Sequence, residues 1–272
     1  MLGVRWSSCC VREMGVYLAG MVELSRTLVT RGYEMDARER IPAAVLARYM
    51  EHLRWRAVHG EELGLRSLFA EGHSAVVRAQ QLHLGMQLQD DEDLVLDLRI
   101  GHVGRSSLCF VQRVLRSSDR QEAARADVVI VVLGADGRPA PVPDAVRRRV
   151  VPLQLLDRID PGERPTDAWC RAVPIRPSDL DVLQHVNQSR YVEMVDDTLQ
   201  LAVAAGVQPF EGPAQHEAVR VSPKRISIAY ERETRVGDDL QVFSWPSGAG
   251  QADFELCRAS DGAPVARARA LF

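Results

Sequence analysis

The segment SDLDVLQHVNQSRYVE, residues 178–193, ends in a pattern that the chain has already used once, as ARYMEH at residues 47–52. Aligning Tyr191 with Tyr49 gives an offset of 142 residues (191 − 49). Further along, ISIAYERETRVGDDLQV (226–242) resembles LHLGMQLQDDEDLVL (82–96). Such self-similarity indicates a repeated structural unit. The chain therefore consists of two copies of one unit, each predicted as a strand, a long helix and several further strands.

The sequence predicts where each of the two helices begins and ends. In the second copy, Asn187 is a good N-cap, and Gly206 is placed to end the helix in a left-handed conformation. In the first copy, Pro42 sits where a first-turn proline is tolerated, and Gly64 is the expected stop. The apolar residues between these ends recur at helical spacing, which predicts that one face of each helix lies in the core. They are Leu46, Tyr49, Met50, Leu53 and Ala57 in the first copy, and Tyr191, Met194, Val195, Thr198, Leu201, Ala202 and Ala205 in the second.

The segments after each helix alternate in polarity, as strands do. Asp136-Gly137 in the first copy and Asp261-Gly262 in the second are turn signals. A helix with one apolar face followed by antiparallel strands should bury that face against the sheet, which makes this an α+β fold. We predict a first unit over residues 28–138, a proline-rich charged linker over 139–167 and a second unit over 168–272, with one sheet extending into the other.

Composition excludes several classes of protein. The net charge of −3, with acids interleaved among the arginines, gives no electrostatic basis for binding nucleic acid. Five cysteines without metal-ligand spacing favour reduced thiols in a cytoplasm, and no apolar run reaches the length of a membrane span. Residues 1–21 include a mildly apolar stretch, for which a start at Met14 or Met21 is at least as good an interpretation as a signal peptide.

At residues 176–187 the sequence RPSDLDVLQHVN resembles the signature of the hot-dog-fold acyl thioesterases. It looks most like that of the double-hot-dog acyl-ACP and acyl-CoA thioesterases of plants and their bacterial relatives. AYERETRVGD (229–238) and PVPDAVRRRV (141–150) are supporting matches. The resemblance implies two hot-dog units in tandem, the first without the catalytic motif, and hydrolysis of a fatty acyl thioester without cofactor or metal.

The resemblance places the family's catalytic aspartate on Asp181, its histidine on His185 and its glutamate on Glu233. Leu183 replaces the asparagine that the plant proteins have between the aspartate and the histidine. Thr234 stands where the plant proteins have a cysteine, which excludes a thiol nucleophile there.

Elementary chemistry leads to the same residues. Thioester hydrolysis needs an oxygen nucleophile or a base that activates water, together with hydrogen-bond donors for the oxyanion that forms. A helix beginning at Asn187 presents unpaired backbone N–H groups beside Asp181, with His185 in reach of both. We therefore predict Asp181, His185 and Asn187 as catalytic residues, together with Glu233, which the resemblance implies. Val186 and Tyr191 are candidates for substrate binding, although a core role is the first interpretation of Tyr191.

The repeat supplies an internal comparison. Opposite Asp181, His185, Asn187 and Glu233 the first copy has Glu39, Ala43, Val45 and Gln87. Polar residues that folding alone demands should occur in both copies, so this difference favours chemistry in the second copy. The first copy is then expected to shape the acyl pocket.

Several residues have simpler interpretations, which stay open at this point. Asn187 serves as a cap whether or not it also serves catalysis, and Asp179 is expected in a turn or capping role. Glu193 is expected at the surface, and Arg147, Arg148 and Arg149 form either a solvated helix end or a contact for phosphopantetheine or an acidic carrier protein.

Two other functions remain, a hot-dog hydratase or dehydratase acting on β-hydroxyacyl thioesters and a non-catalytic acyl-binding protein. Whether the carrier is CoA or ACP, and whether two chains form a homodimer, is left open.

Overall fold

The repeat is visible in the order of the secondary-structure elements. The computed structural model of the protein describes residues 24–63, 65–207 and 222–272. Its helices are α1 (Ala43–His59), a short α2 (Asp144–Arg147) and α3 (Gln188–Ala204). The strands of the first unit are β1 (Leu24–Val29), β2 (Ser74–Leu84), β3 (Asp93–Val103), β4 (Ser107–Arg116) and β5 (Glu122–Leu133). Those of the second unit are β6 (Trp169–Val173), β7 (Arg225–Tyr230), β8 (Leu240–Gly248), β9 (Gln251–Arg258) and β10 (Pro264–Leu271).

These ten strands form one antiparallel sheet in the order β1-β3-β4-β5-β2-β7-β10-β9-β8-β6. Each strand of the first unit lies as far from one edge of the sheet as its repeat counterpart in the second unit lies from the other edge. The counterpart pairs are β1 and β6, β3 and β8, β4 and β9, β5 and β10, and β2 and β7. The two units meet in the middle, where β2 pairs with β7 from Ala79–Ala229 to His83–Arg225. The α+β architecture of two hot-dog units sharing an extended sheet, as predicted, is thereby confirmed.

Helices α1 and α3 lie side by side and bury their apolar stripes. Tyr49, Met50 and Leu53 of α1 are no more than 5% exposed, and Tyr191 and Val195 of α3 are no more than 3% exposed. The predicted stripe of α1 is confirmed, whereas Leu201 and Ala205 of the predicted α3 stripe are exposed, and Ala205 is the C-cap that follows the helix. Between the helices, Arg48 of α1 pairs with Glu193 of α3.

The predicted ends of α3 are confirmed. Asn187 is its N-cap, with the side-chain oxygen accepting the Ser189 N–H at 2.8 Å. Gly206 follows the C-cap with φ of +70°, and the N–H groups of Gly206 and Val207 donate to the carbonyls of Val203 and Ala202. This pair of hydrogen bonds is the Schellman motif, which needs a left-handed residue.

The end of α1 differs from the prediction. The helix begins after Pro42 as expected, but it ends at His59 with Gly60 as C-cap, four residues before the expected stop. Gly64 itself lies outside the described residues. The stripe has its last buried member at Ala57, so continuing the helix through Glu61 and Glu62 would bury nothing further.

The segment predicted as the linker lies along the sheet. The Val151 N–H donates to the Ile100 carbonyl in the first unit at 2.9 Å, and the Gly162 N–H donates to Asp253 Oδ2 in the second unit at 2.8 Å. In α2, the Arg147 guanidinium donates to the carbonyls of Val142, Gly104 and Arg105, so this arginine fixes the segment to the first unit. The boundaries at 138 and 167 stay a prediction.

None of the helices in the described ranges has the length and apolar character that a membrane span requires. The expectations for Met14, Met21 and the preceding residues lie outside those ranges.

Candidate active site

Asp179 anchors the loop that leads into α3. Its side chain is 2% exposed and accepts hydrogen bonds from the Arg176 backbone N–H at 2.8 Å and from Arg190 Nε at 2.9 Å. Its backbone carbonyl accepts the Asn187 N–H at 2.9 Å. Burial opposes ionisation of Asp179, but the hydrogen bonds and charges of Arg176 and Arg190 outweigh it and hold the pKa below its usual range. The capping role predicted for Asp179 is confirmed.

Asp181 closes a tight turn between Asp179 and the helix. Its N–H donates to the His185 carbonyl at 2.8 Å, and its Oδ1 accepts the Leu183 N–H at 2.8 Å and the His185 N–H at 3.3 Å. Gln184 completes the turn in a left-handed conformation, with φ of 63°. Asp181 lines an open cleft of about 540 Å³ with Pro177, Leu180, Gln184, Arg235 and Val236.

His185 and Glu233 come together beside this turn. Nε2 of His185 contacts Oε2 of Glu233. Arg235 Nη2 lies 3.1 Å from the same imidazole nitrogen and 3.3 Å from the same carboxylate oxygen. The two segments are joined by the backbone, since the Val186 N–H donates to the Thr234 carbonyl at 2.8 Å. Asp181, His185 and Glu233, which are predicted together, therefore share one corner of the second unit.

Asn187 faces a different cleft. Its Nδ2 donates to Glu51 Oε1 of α1 at 2.6 Å, while its Oδ1 caps α3. This second open cleft, of about 470 Å³, is lined by Arg48, Glu51, His52, Trp55, Ser178, Leu180, Asn187, Ser189 and Arg190. Leu180 lines both clefts. The catalytic residues predicted as one cluster thus lie on the two sides of the Leu180 side chain.

The two predicted substrate-binding residues are buried. Val186 is 6% exposed and Tyr191 is 3% exposed. The Tyr191 hydroxyl donates to Thr234 Oγ1 at 2.9 Å, and its ring packs edge-to-face on Tyr230 at 5.3 Å between centroids. Burial raises the pKa of Tyr191 to about 12. The core role that the stripe predicts for Tyr191 is confirmed, and Thr234 is its hydrogen-bond partner.

Sequence reasoning missed the contribution of α1 to this region. Glu51, His52 and Trp55 of the first unit line the cleft at the start of α3. Burial lowers the pKa of His52, and the charges of Arg56 and Arg31 lower it further. A signal for Glu51 exists in the repeat, because the offset of 142 residues makes it the counterpart of Glu193 (193 − 142). Glu193 pairs with Arg48 and Arg190 and is only partly exposed.

The described residues contain no group of three or more histidine, cysteine, aspartate or glutamate side chains placed to hold a metal ion. The chemistry available at the two clefts and at the adjoining His185–Glu233 pair is that of carboxylates, imidazoles, guanidinium groups, an amide and the start of a helix.

Comparison with known proteins agrees with the two-unit architecture. Residues 162–272 match the model of the acyl-ACP thioesterase C-terminal domain, and residues 31–150 match that of the thioesterase-like superfamily. No curated protein matches the chain.

Solved structures show the same fold across nearly the whole chain. The 12:0-ACP thioesterase from Umbellularia californica is 19% identical with a TM-score of 0.73, covering 95% of this chain and 98% of that one. A putative oleoyl thioesterase from Lactobacillus plantarum is 19% identical with a TM-score of 0.74, covering 93% and 96%. An acyl-ACP thioesterase from Bacteroides thetaiotaomicron is 18% identical with a TM-score of 0.69, covering 92% and 98%.

Both halves of the chain thus match thioesterase families, in the order that a double hot dog requires, and the motif loop lies in the half that matches the acyl-ACP thioesterase domain. Residues 31–150 belong to the thioesterase-like superfamily and residues 162–272 to the acyl-ACP thioesterase C-terminal domain family, and fatty acyl thioester hydrolysis is the activity that these two matches support.

Proposed function

We propose that this thioesterase cleaves its acyl thioester with Asp181, His185, Glu233 and the start of α3. The observation that carries the proposal is the turn at residues 181–185. It holds the Asp181 carboxylate at an open cleft by two backbone N–H groups, directly before the helix that can stabilise an oxyanion.

Asp181 acts on the thioester carbon either directly or through water. Because Oδ1 is held by the N–H groups of Leu183 and His185, Oδ2 is the oxygen assigned to the reaction. Attack by Asp181 Oδ2, or by a water that gives its proton to Oδ2, opens the C=O double bond, and collapse of the tetrahedral oxyanion breaks the C–S bond and expels the thiolate. In the direct route, water then hydrolyses the anhydride formed on Asp181, which releases the free acid and restores the carboxylate. His185, oriented by Glu233, delivers a proton to the leaving sulfur.

The start of α3 supplies the oxyanion donor. The first backbone N–H groups of a helix have no acceptor within the helix. Asn187 Oδ1 takes the N–H of Ser189, and the Asn187 carbonyl accepts that of Arg190 at 2.9 Å. We assign the oxyanion role to the N–H of Gln188, the first residue of α3. Asn187 is then a positioning residue, held in place by Glu51 from the other unit.

The finer assignments of substrate and setting belong to the same proposal. An acyl group on ACP or on CoA is the substrate. A cytoplasmic setting is supported by the free thiols of Cys109, Cys170 and Cys257. A homodimer of two-unit chains is tested by the solution mass of the purified protein.

The decisive experiment measures thiol release from acyl-CoA and acyl-ACP substrates with a thiol-trapping reagent. We expect Asp181→Asn to lower the rate by roughly 10²–10⁴, the range for losing a general base. Asp261→Asn is a matched control, because Asp261 Oδ1 likewise accepts the N–H of the residue two positions on, Ala263, at 3.0 Å. If both variants keep the wild-type rate, Asp181 has only a turn-forming role. Addition or loss of water without thiol release would contradict the hydrolase.

A further inference from the structure

Beneath the start of α3, the core of the first unit contains polar side chains among the apolar ones. We call Arg54, Gln80, Gln112, Gln188 and Tyr230 the buried polar cluster. Arg54, Gln80 and Gln112 are 5%, 1% and 0% exposed. Gln188 and Tyr230 are half-buried, so the cluster extends from the helix start into the closed core.

Hydrogen bonds and strand register place these residues together. Arg54 Nη1 donates to Gln112 Oε1 at 2.6 Å, and Gln112 Nε2 donates to the Met50 carbonyl at 2.7 Å, which puts Gln112 on the helix-facing side of the sheet. Gln112 pairs with Ala126, which pairs with Leu82, two positions along β2 from Gln80. Gln80 therefore faces the same side.

The second unit completes the cluster from across the central strand pair. Gln80 pairs with Ile228, two positions before Tyr230 on the same face of β7. The Tyr230 hydroxyl donates to the Gln188 carbonyl at 3.3 Å. Burial raises the pKa of Tyr230, and the charge of Arg54 opposes that shift, so the two groups are close.

Several atoms of the cluster have no hydrogen-bond partner in the part of the chain that the structure describes. These are Arg54 Nη2, both side-chain polar atoms of Gln80 and both of Gln188. An unpaired polar group in a protein core costs free energy unless something satisfies it. Burial lowers the pKa of Arg54 to about 10, which leaves the guanidinium charged at neutral pH.

The repeat shows that folding does not require polar side chains at the positions of Gln80 and Gln112. Ala126 and Ala268 are counterparts (268 − 126 = 142), and they pair with Gln112 and Phe254 respectively. In the same way Val128 and Ala270 (270 − 128 = 142) pair with Gln80 and Ile226. Phe254 and Ile226 are fully apolar and no more than 1% exposed, so the same positions of the same fold pack without polar groups in the second unit.

We propose that the buried polar cluster binds an oxygen atom on the acyl chain, so that the preferred substrate is a hydroxy- or oxoacyl thioester and not a plain saturated one. Unpaired amide and guanidinium donors, with amide acceptors beside them, match a hydroxyl or an oxo group. Gln188 directly follows Asn187 at the start of α3, where the thioester carbonyl is proposed to bind. We therefore place the oxygen on the first few carbons beyond the thioester. This inference rests on the proposed function, since it names the substrate class of the same site.

The test compares 3-hydroxyacyl, 3-oxoacyl and plain acyl thioesters of equal chain length in the thiol-release assay. We expect the oxygenated substrates, or one of them, to exceed the plain one in kcat/KM by about tenfold or more, because a site that hydrogen-bonds an oxygen discriminates against the analogue lacking it. Gln80→Leu should remove that preference, whereas Ile226→Leu, at the counterpart position, should leave it unchanged. If Gln80→Leu fails to fold, Gln188→Met replaces it in the test, because Gln188 lies at the half-buried edge of the buried polar cluster.

A binding measurement separates this inference from the proposed activity. S-(2-Oxoalkyl)pantetheines with and without a chain hydroxyl resist hydrolysis, because a methylene stands between sulfur and carbonyl. We expect the hydroxylated member of the pair to raise the melting temperature of the wild-type protein more, and Gln80→Leu to abolish the difference. Equal shifts, or a preference for the plain chain in either assay, would overturn the inference. Absence of thiol release with a retained binding difference would overturn the proposed activity alone.

Discussion

Asp179 and Asp181 stand two residues apart, and their surroundings give them opposite roles. Asp179 is almost fully buried between Arg176 and Arg190, with its carboxylate committed to them. Asp181 is partly exposed at the edge of a cleft, with one carboxylate oxygen committed to its own turn. An ionised carboxylate surrounded by two guanidinium groups contributes to stability, whereas one beside open space is available for a reaction.

We expect Asp179→Asn to lower the free energy of unfolding at pH 7 by about 2 kcal/mol, because the buried carboxylate loses its charge-assisted hydrogen bonds to the guanidinium groups of Arg176 and Arg190. The pKa of Asp179 is depressed in the folded protein, so its contribution is present above the ordinary aspartate pKa, near 4, and is lost as the pH falls through the folded value. Urea unfolding at pH 7 and at pH 3 measures both effects, and the variant should lose part of the acid sensitivity.

Asp160→Asn is the control for this measurement. Asp160 pairs with Arg158, but both side chains are more than half exposed, and such a pair contributes less than about 1 kcal/mol. If Asp179→Asn destabilises no more than this control, the buried carboxylate has no special structural role.

Glu51 permits a separate test of the link between the units. Glu51→Ala should lower kcat/KM roughly ten- to a hundredfold, because Asn187 and the start of α3 lose their support from α1. Glu51→Gln keeps an oxygen that accepts the Asn187 amide and should restore most of the rate. A loss as large for Glu51→Gln as for Glu51→Ala would show that the charge itself takes part in the reaction.

The two long helices differ in how far the sequence determines where they end. Asn187 and Gly206 define the ends of α3 because each forms local hydrogen bonds that its residue type favours. The end of α1 has no comparable local signal. Gly60 adopts extended angles, with φ of −80° and ψ of 174°, which any residue tolerates, so Gly60 and Gly64 are equal candidates in the sequence. Packing decides between them, because the last buried member of the stripe is Ala57.

Gly206→Ala tests the left-handed cap of α3. At φ of +70° an alanine is strained, and we expect a loss of about 1 kcal/mol in the free energy of unfolding. Gly162→Ala is the control, since a β-carbon there would meet only ordinary contacts, at 3.5 Å from Asp253 Oδ2 and 3.8 Å from Arg269 Nη2. Denaturant unfolding measures both variants, and equal stabilities would show that the cap contributes nothing.

For the whole molecule, self-similarity predicts the two units and their shared sheet, but not the contacts between their helices. The Glu51–Asn187 hydrogen bond joins residues 136 positions apart, and it follows from the packing of α1 against α3. The repeat identifies which residues are equivalent, not which ones touch. For the same reason the loop at Asp181 is readable in the sequence, whereas its separation from Asn187 by Leu180 is a property of the assembled structure.

A sheet that continues through both units should make them unfold together. Gln81 Nε2 donates to Ser227 Oγ at 2.7 Å across the β2–β7 pair, and both side chains are buried. Ser227→Ala leaves the Gln81 donor unpaired, at a cost of about 1–3 kcal/mol. Ser247→Ala is the matched control, because the buried Ser247 hydroxyl has no partner within the described ranges. Tryptophan fluorescence follows each unit once Trp6 is replaced by Phe, because Trp55→Phe then retains only the signals of Trp169 and Trp245, and the double variant lacking those two retains only that of Trp55. We expect one urea midpoint for both signals in the wild-type background, and a common shift of both with Ser227→Ala. Two separate midpoints would mean that each hot dog folds on its own and that the central strand pair only tethers them.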